Sequence, residues 1–149
     1  MKVSLACDHA GFELKEKVKK YLEGKSFEVR DLGCYSAERV DYPVFGEKAA
    51  NAVVSKECEA GVLICGTGIG ISLAANKVKG IRAAVCSEPV SARLAKEHNN
   101  ANIIAFGARI VGEEMAYAIL DAYFSASFQE GRHAERVGII SGIEDKNFK

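Results

Sequence analysis

The chain has 149 residues, 48% of them hydrophobic and 27% charged, with 20 basic and 20 acidic side chains and no net charge. That length fits one domain, residues 1–149, around one sizeable core. The charge balance argues against non-specific attraction to nucleic acid or an anionic membrane surface, so any anion site must be local.

Residues 1–8 open on a strand, Lys2–Cys7, with no charged segment leading into a long apolar one. No secretory leader is expected, and the expected location is the cytoplasm. No apolar run is long enough to span a bilayer. Residues 12–23 are rich in helix formers, with Phe12, Leu14, Val18, Tyr21 and Leu22 on an apolar stripe and Gly24 as a stop. A second strand is expected at 27–31, a loop over 33–43 and a helix over 44–56. Ala60–Cys65 (AGVLIC) is apolar without interruption, the pattern of a central parallel strand covered on both faces. A helix follows over 70–78, then a strand at 81–85 and a helix at 89–98 with Pro89 in its first turn. The last units are a strand at 102–106, a helix over Glu113–Phe124 and another over 130–144.

Strands alternating with helices imply parallel pairing through right-handed crossovers. The expected fold is therefore α/β: a three-layer α/β/α, Rossmann-like sandwich with about five parallel strands and an extra C-terminal helix. In open sheets of this kind, ligands gather beyond the carboxyl ends of the strands. That rule selects residues 8–11, 66–70 and 107–109.

Three glycines, Gly66, Gly68 and Gly70, alternate where the apolar strand becomes a helix. Free N–H groups there suit an anion or a developing oxyanion, although a tight turn with no ligand has the same composition. The P-loop pattern is absent, and the dinucleotide pattern fails because Ile71 stands where its last glycine belongs. Cys65 precedes the turn. A thiol at a helix N-terminus has its thiolate stabilised and can serve as nucleophile or base, but it can also be a core residue. The other cysteines, Cys7, Cys34, Cys58 and Cys86, read as small buried hydrophobes, and no C-x-x-C pair suggests a metal or disulfide.

Asp8 and His9 end the first strand, where they suit proton transfer and hydroxyl binding; Asp8 equally suits an N-cap. His98, Asn99 and Asn100 end the fourth helix, where a histidine and an asparagine cap are ordinary. A helix C-terminus also returns to the amino edge of the sheet, away from the glycine turn. A catalytic His98 would therefore serve a partner's site. Arg132 and Arg136 share a face of the last helix with His133 nearby, an arrangement fit for a phosphate or for plain solvation.

CDHAGF at 7–12, AERVDYP at 37–43, ICGTGIGIS at 64–72, the run 80–109 and EGRHAERV at 130–137 together resemble the type B ribose-5-phosphate isomerase family, which includes galactose-6-phosphate and allose-6-phosphate isomerases. The resemblance spans nearly the whole chain. It implies an aldose–ketose isomerase working through an enediolate, with Cys65 as base and the amides of Gly66, Thr67, Gly68, Ile69 and Gly70 holding the enediolate oxygen. Thr67 and His98 would assist ring opening, and Asp8 would move a proton between the two hydroxyl oxygens. Asn99 would bind the sugar and Tyr42 line the site, while His9, Arg109, Arg132 and Arg136 surround the phosphate. It further implies no metal or other cofactor, and dimers or tetramers with sites shared between subunits. One branch of the family uses a glutamate after the last glycine of the turn; Ile71 there cannot take a proton, so this chain resembles the cysteine branch. The alternatives are a six-carbon substrate, allose or galactose 6-phosphate, and a nucleotide-binding regulatory module. The second fits poorly, because no aspartate follows the third strand and the dinucleotide pattern is broken.

Overall fold

In the computed structural model, which describes residues 1–148, five strands form one parallel sheet. They are β1 (Lys2–Cys7), β2 (Glu28–Asp31), β3 (Ala60–Cys65), β4 (Ala83–Val85) and β5 (Ile103–Gly107), in the spatial order β2-β1-β3-β5-β4. Every residue of β3 and β5 is buried, whereas edge strands β2 and β4 are largely uncovered. Both faces of the inner strands must be apolar because helices cover both.

The helices are α1 (Phe12–Gly24), α2 (Tyr42–Val54), α3 (Ile69–Ala75), α4 (Pro89–Asn99), α5 (Glu113–Phe124) and α6 (Arg132–Asn147). Side chains alternate across the sheet with a period of two. Val3, Leu5, Val62 and Ile64 pack with α1, α4 and α5. Ala6, Leu63, Cys65 and Ala105 pack with α2 and α3. The sandwich is therefore three-layered and Rossmann-like, with α6 added against α4. No helix among the described residues is long and apolar enough to cross a membrane.

Local differences from expectation have physical causes. Helix α2 starts at Tyr42, two residues early, because Pro43 is accepted in a first helical turn. Strand β4 is short: Ile81 and Arg82 precede the ladder, where Asn102 Oδ1 accepts from the Arg82 N–H (2.8 Å). Helix α6 begins two residues later than expected and continues to Asn147. The expected stripe of α1 holds at Leu14, Val18 and Leu22, but it also includes Lys15, which is fully buried. Its ammonium donates to both Asp31 oxygens (2.9 and 2.8 Å) and to the Cys34 carbonyl (2.8 Å). A buried charge is tolerated when paired and hydrogen-bonded in this way. The contact ties α1 and β2 to the start of the loop that leads to Tyr42.

Candidate active site

The chain leaves β1 for β2 on one side and β3 for β4 on the other, so the carboxyl ends of β1 and β3 flank the point where the winding reverses. A crevice at such a point is where open α/β sheets bind ligands. Register brings the three sequence-selected segments together there. Cys7 lies opposite Ile64, and Cys65 opposite Gly107.

Asp8 is buried, and its Oδ1 accepts from the Gly11 N–H (3.2 Å), capping a single 3-10 turn, His9–Gly11. The capping reading of Asp8 is thus observed, through one carboxylate oxygen. Nδ1 of His9 meets both the N–H (3.1 Å) and the carbonyl (3.2 Å) of Val40, which fixes the ring to the 33–41 loop in either tautomer.

The glycine turn is built by close approach. Gly68 has φ +78°, and a Cβ there would stand 2.6 Å from the Phe106 carbonyl carbon. Only glycine fits, because both the left-handed backbone and the space demand it. This conformation aims the Gly68 N–H at Cys65 Sγ (3.1 Å). Thr67 is exposed at the tip, with Oγ1 accepting from the Ile69 N–H (3.1 Å). A Cβ on Gly70 would stand 2.6 Å from the Tyr42 ring, so the tyrosine packs directly on the turn. The loop after β5 closes the other side: Ala108 and Arg109 donate their N–H groups to the carbonyls of Cys65 (2.9 Å) and Gly66 (3.0 Å). The Arg109 guanidinium then lies beside Gly66, with Nη1 3.0 Å from where a Cβ would be. Cys65 itself is 4% exposed, at the inner end of this cluster.

The remaining cysteines behave as core thiols. Burial pushes Cys7 and Cys58 up, and Cys86 up to about 11. Cys7 and Cys34 lie with sulfurs 3.8 Å apart, away from solvent.

Asp8, His9, Tyr42, Cys65, residues 66–70 and Arg109 therefore converge. His98, Asn99, Arg132 and Arg136 do not join them. Helix α4 runs back about 16 Å along the sheet and ends in the left-handed cap Asn100, beside the amino end of β5. There the His98 ring stacks on His133, centroids 4.2 Å apart and planes 7° from parallel. The segment before α6 is held by the Gln129 N–H donating to the Glu97 carbonyl (2.9 Å). Arg132 and Arg136 are exposed beside the histidine pair. Burial first, then His98 and the two arginines, holds His133 below its ordinary range. The ring stack went unforeseen, since its two members lie on separate helices and neither helix's pattern signals the other. The packing of Gly107 against Thr67, 2.6 Å from a notional Cβ, was equally unforeseen.

A family model described as Ribose/Galactose Isomerase matches residues 3–140. The chain is similar to ribose-5-phosphate isomerase B of Escherichia coli K12, at 50% identity over 145 residues covering 97% of each chain. It is also similar to galactose-6-phosphate isomerase subunit LacB of Clostridium acetobutylicum, at 45% identity over 97% of this chain and 83% of that one. Among solved structures, ribose-5-phosphate isomerase B of Clostridium thermocellum aligns with a TM-score of 0.97 at 53% identity, covering 98% of this chain and 99% of that one.

Proposed function

The chain belongs to the ribose/galactose isomerase family, and on that premise we propose that it interconverts ribose 5-phosphate and ribulose 5-phosphate, with Cys65 as the base. What carries the assignment to Cys65 is its sulfur at the head of the glycine turn, with the Gly68 N–H on it and the Arg109 guanidinium beside the adjacent Gly66.

The thiolate removes the proton from C2 of the open-chain aldose, and the electron pair moves to the C1 oxygen as an enediolate. Amides of residues 66–70 hold that oxygen; oriented donors of this kind contribute about 3–4 kcal/mol each. Asp8 carries a proton from the C2 hydroxyl to the C1 oxygen, and the Cys65 thiol returns its proton to C1. His9 and Arg109 bind phosphate, Tyr42 lines the sugar, and Thr67 assists ring opening.

His98, Asn99, Arg132 and Arg136 then act on a second copy, placed across its carboxyl edge in a homodimer or homotetramer. Their common position at the amino edge supports this reading, because one chain cannot bring them to its own Cys65. The chain is read as a single cytoplasmic domain.

The direct test is incubation with ribose 5-phosphate, without added metal, following ribulose 5-phosphate; no product sinks the proposal. A six-carbon substrate is favoured by one observation, the likeness to the galactose-6-phosphate isomerase subunit. Comparing kcat/KM for ribose 5-phosphate with that for allose and galactose 6-phosphates decides between them. Mixing His98→Ala with Cys65→Ala chains tests the shared site. Random pairing restores about a quarter of full activity if each site draws on two copies, and none if it does not.

A further inference from the structure

A second concavity, of about 330 Å³, lies at the amino edge between the end of α2, the starts of β3, β4 and β5, and the last turn of α4. Three cations line it: Lys56, Arg82 and Lys96. Arg82 Nε donates to the Asn100 carbonyl (3.0 Å), which leaves both terminal nitrogens of its guanidinium without a partner among the described residues. Lys96 Nζ reaches Asn100 Oδ1 at 3.3 Å. Among the described residues, none of the three has a carboxylate within 4.0 Å. Glu59 lines the same cavity, but its carboxylate accepts from the Lys2 N–H (3.2 Å) instead.

Bringing cations together in a partly buried place without a directly paired carboxylate costs free energy. The cost is visible at Lys96, which burial and then Arg82 hold below the ordinary lysine range. The lining sets three cations against the one carboxylate of Glu59, a local excess of positive charge in a chain of zero net charge. A planar guanidinium fork beside two ammonium groups is the donor set that a phosphoryl group accepts.

We propose that this cavity binds a small phosphorylated anion, at a site separate from the isomerase centre, through Arg82 and Lys96 with Lys56 as the third charge. Occupancy is transmitted to His98 and Asn99, because Arg82 Nε holds the carbonyl of Asn100, the residue that caps the helix carrying them.

Calorimetric titration of the intact protein with inorganic pyrophosphate at fixed ionic strength tests the proposal. Lys56→Gln/Lys96→Gln should bind pyrophosphate at this site at least about tenfold more weakly for each charge removed, while turning over ribose 5-phosphate as the unaltered chain does. Arg109→Ala/Arg136→Ala should lose the isomerase-site anion yet keep this one. The proposal is overturned if the lysine variant binds pyrophosphate undiminished, or if the arginine variant binds none. Parallel titrations of the arginine variant with inorganic phosphate and with glycerol phosphate separate free phosphate from a phosphate ester; failure of both and of pyrophosphate rejects the site.

Discussion

At the carboxyl edge of the sheet, the chemistry-bearing groups are held by backbone. Cys65 ends a strand buried at every position, the Gly68 amide is aimed at its sulfur, and the next loop is bonded to the carbonyls of Cys65 and Gly66. At the amino edge they are held by side chains on two helices: a histidine stack, with arginines exposed around it. The first arrangement is preorganised, with donors fixed before any substrate arrives, as charge stabilisation in a reaction requires. The second is open and cationic, suited to gripping a phosphate that does not react. In the proposed function the reacting groups and two of the phosphate-binding arginines lie on opposite edges of one chain, which is why that proposal calls for a second copy.

Substitutions at the two edges should therefore fail differently. The largest effect is expected for Cys65→Ser, which keeps shape but weakens the base: kcat should fall by about 10²–10⁴-fold with KM little changed in steady-state assays. Full turnover would take the reacting group away from the carboxyl edge altogether. Gly68→Ala comes next. Its φ of +78° and the Phe106 backbone leave no room for a methyl group, so denaturant unfolding should show a loss of about 1–3 kcal/mol, together with reduced kcat as the amide moves off the sulfur. Gly112→Ala, with nothing within 4 Å of the added carbon, is the control and should change stability by less than about 0.5 kcal/mol.

Arg136→Ala probes the amino edge. It should raise KM about tenfold with kcat retained, the signature of lost uniform binding. A fall in kcat with KM unchanged would mean that this edge takes part in the reaction rather than in grip alone. The smallest effect concerns pH. In the fold His133 is held below its ordinary range by burial, by His98 from α4 and by Arg132 and Arg136 from α6. The unfolded chain binds a proton near the ordinary 6.5, which the folded chain resists. The resulting stability is fully present above that pH and is lost as pH falls towards the lowered value. Unfolding midpoints followed downward from neutral pH should show this slope, and His133→Phe should flatten it. An unchanged slope in the variant would place the titration elsewhere.

Much of the carboxyl edge was legible because its signals are local. An uninterrupted apolar hexapeptide, Ala60–Cys65, reads as a strand covered on both faces. Glycines at 66, 68 and 70 announce a backbone that other residues cannot follow, and Asp8 lies where a cap belongs. Lys15 shows the limit: on a helix surface a lysine reads as solvent-facing, and only the approach of Asp31 and the Cys34 carbonyl makes its full burial possible.

Taken by itself, the order of residues determined the alternation of strands and helices, the parallel sheet and the glycine turn, because periodicity and backbone permission are properties of a few neighbouring residues. Tertiary structure alone decided that β5 lies between β3 and β4, that Gly107 packs on Thr67 and that His98 stacks on His133. Those are contacts and separations between residues far apart in the chain, settled by how whole layers pack, and no short stretch of residues encodes them.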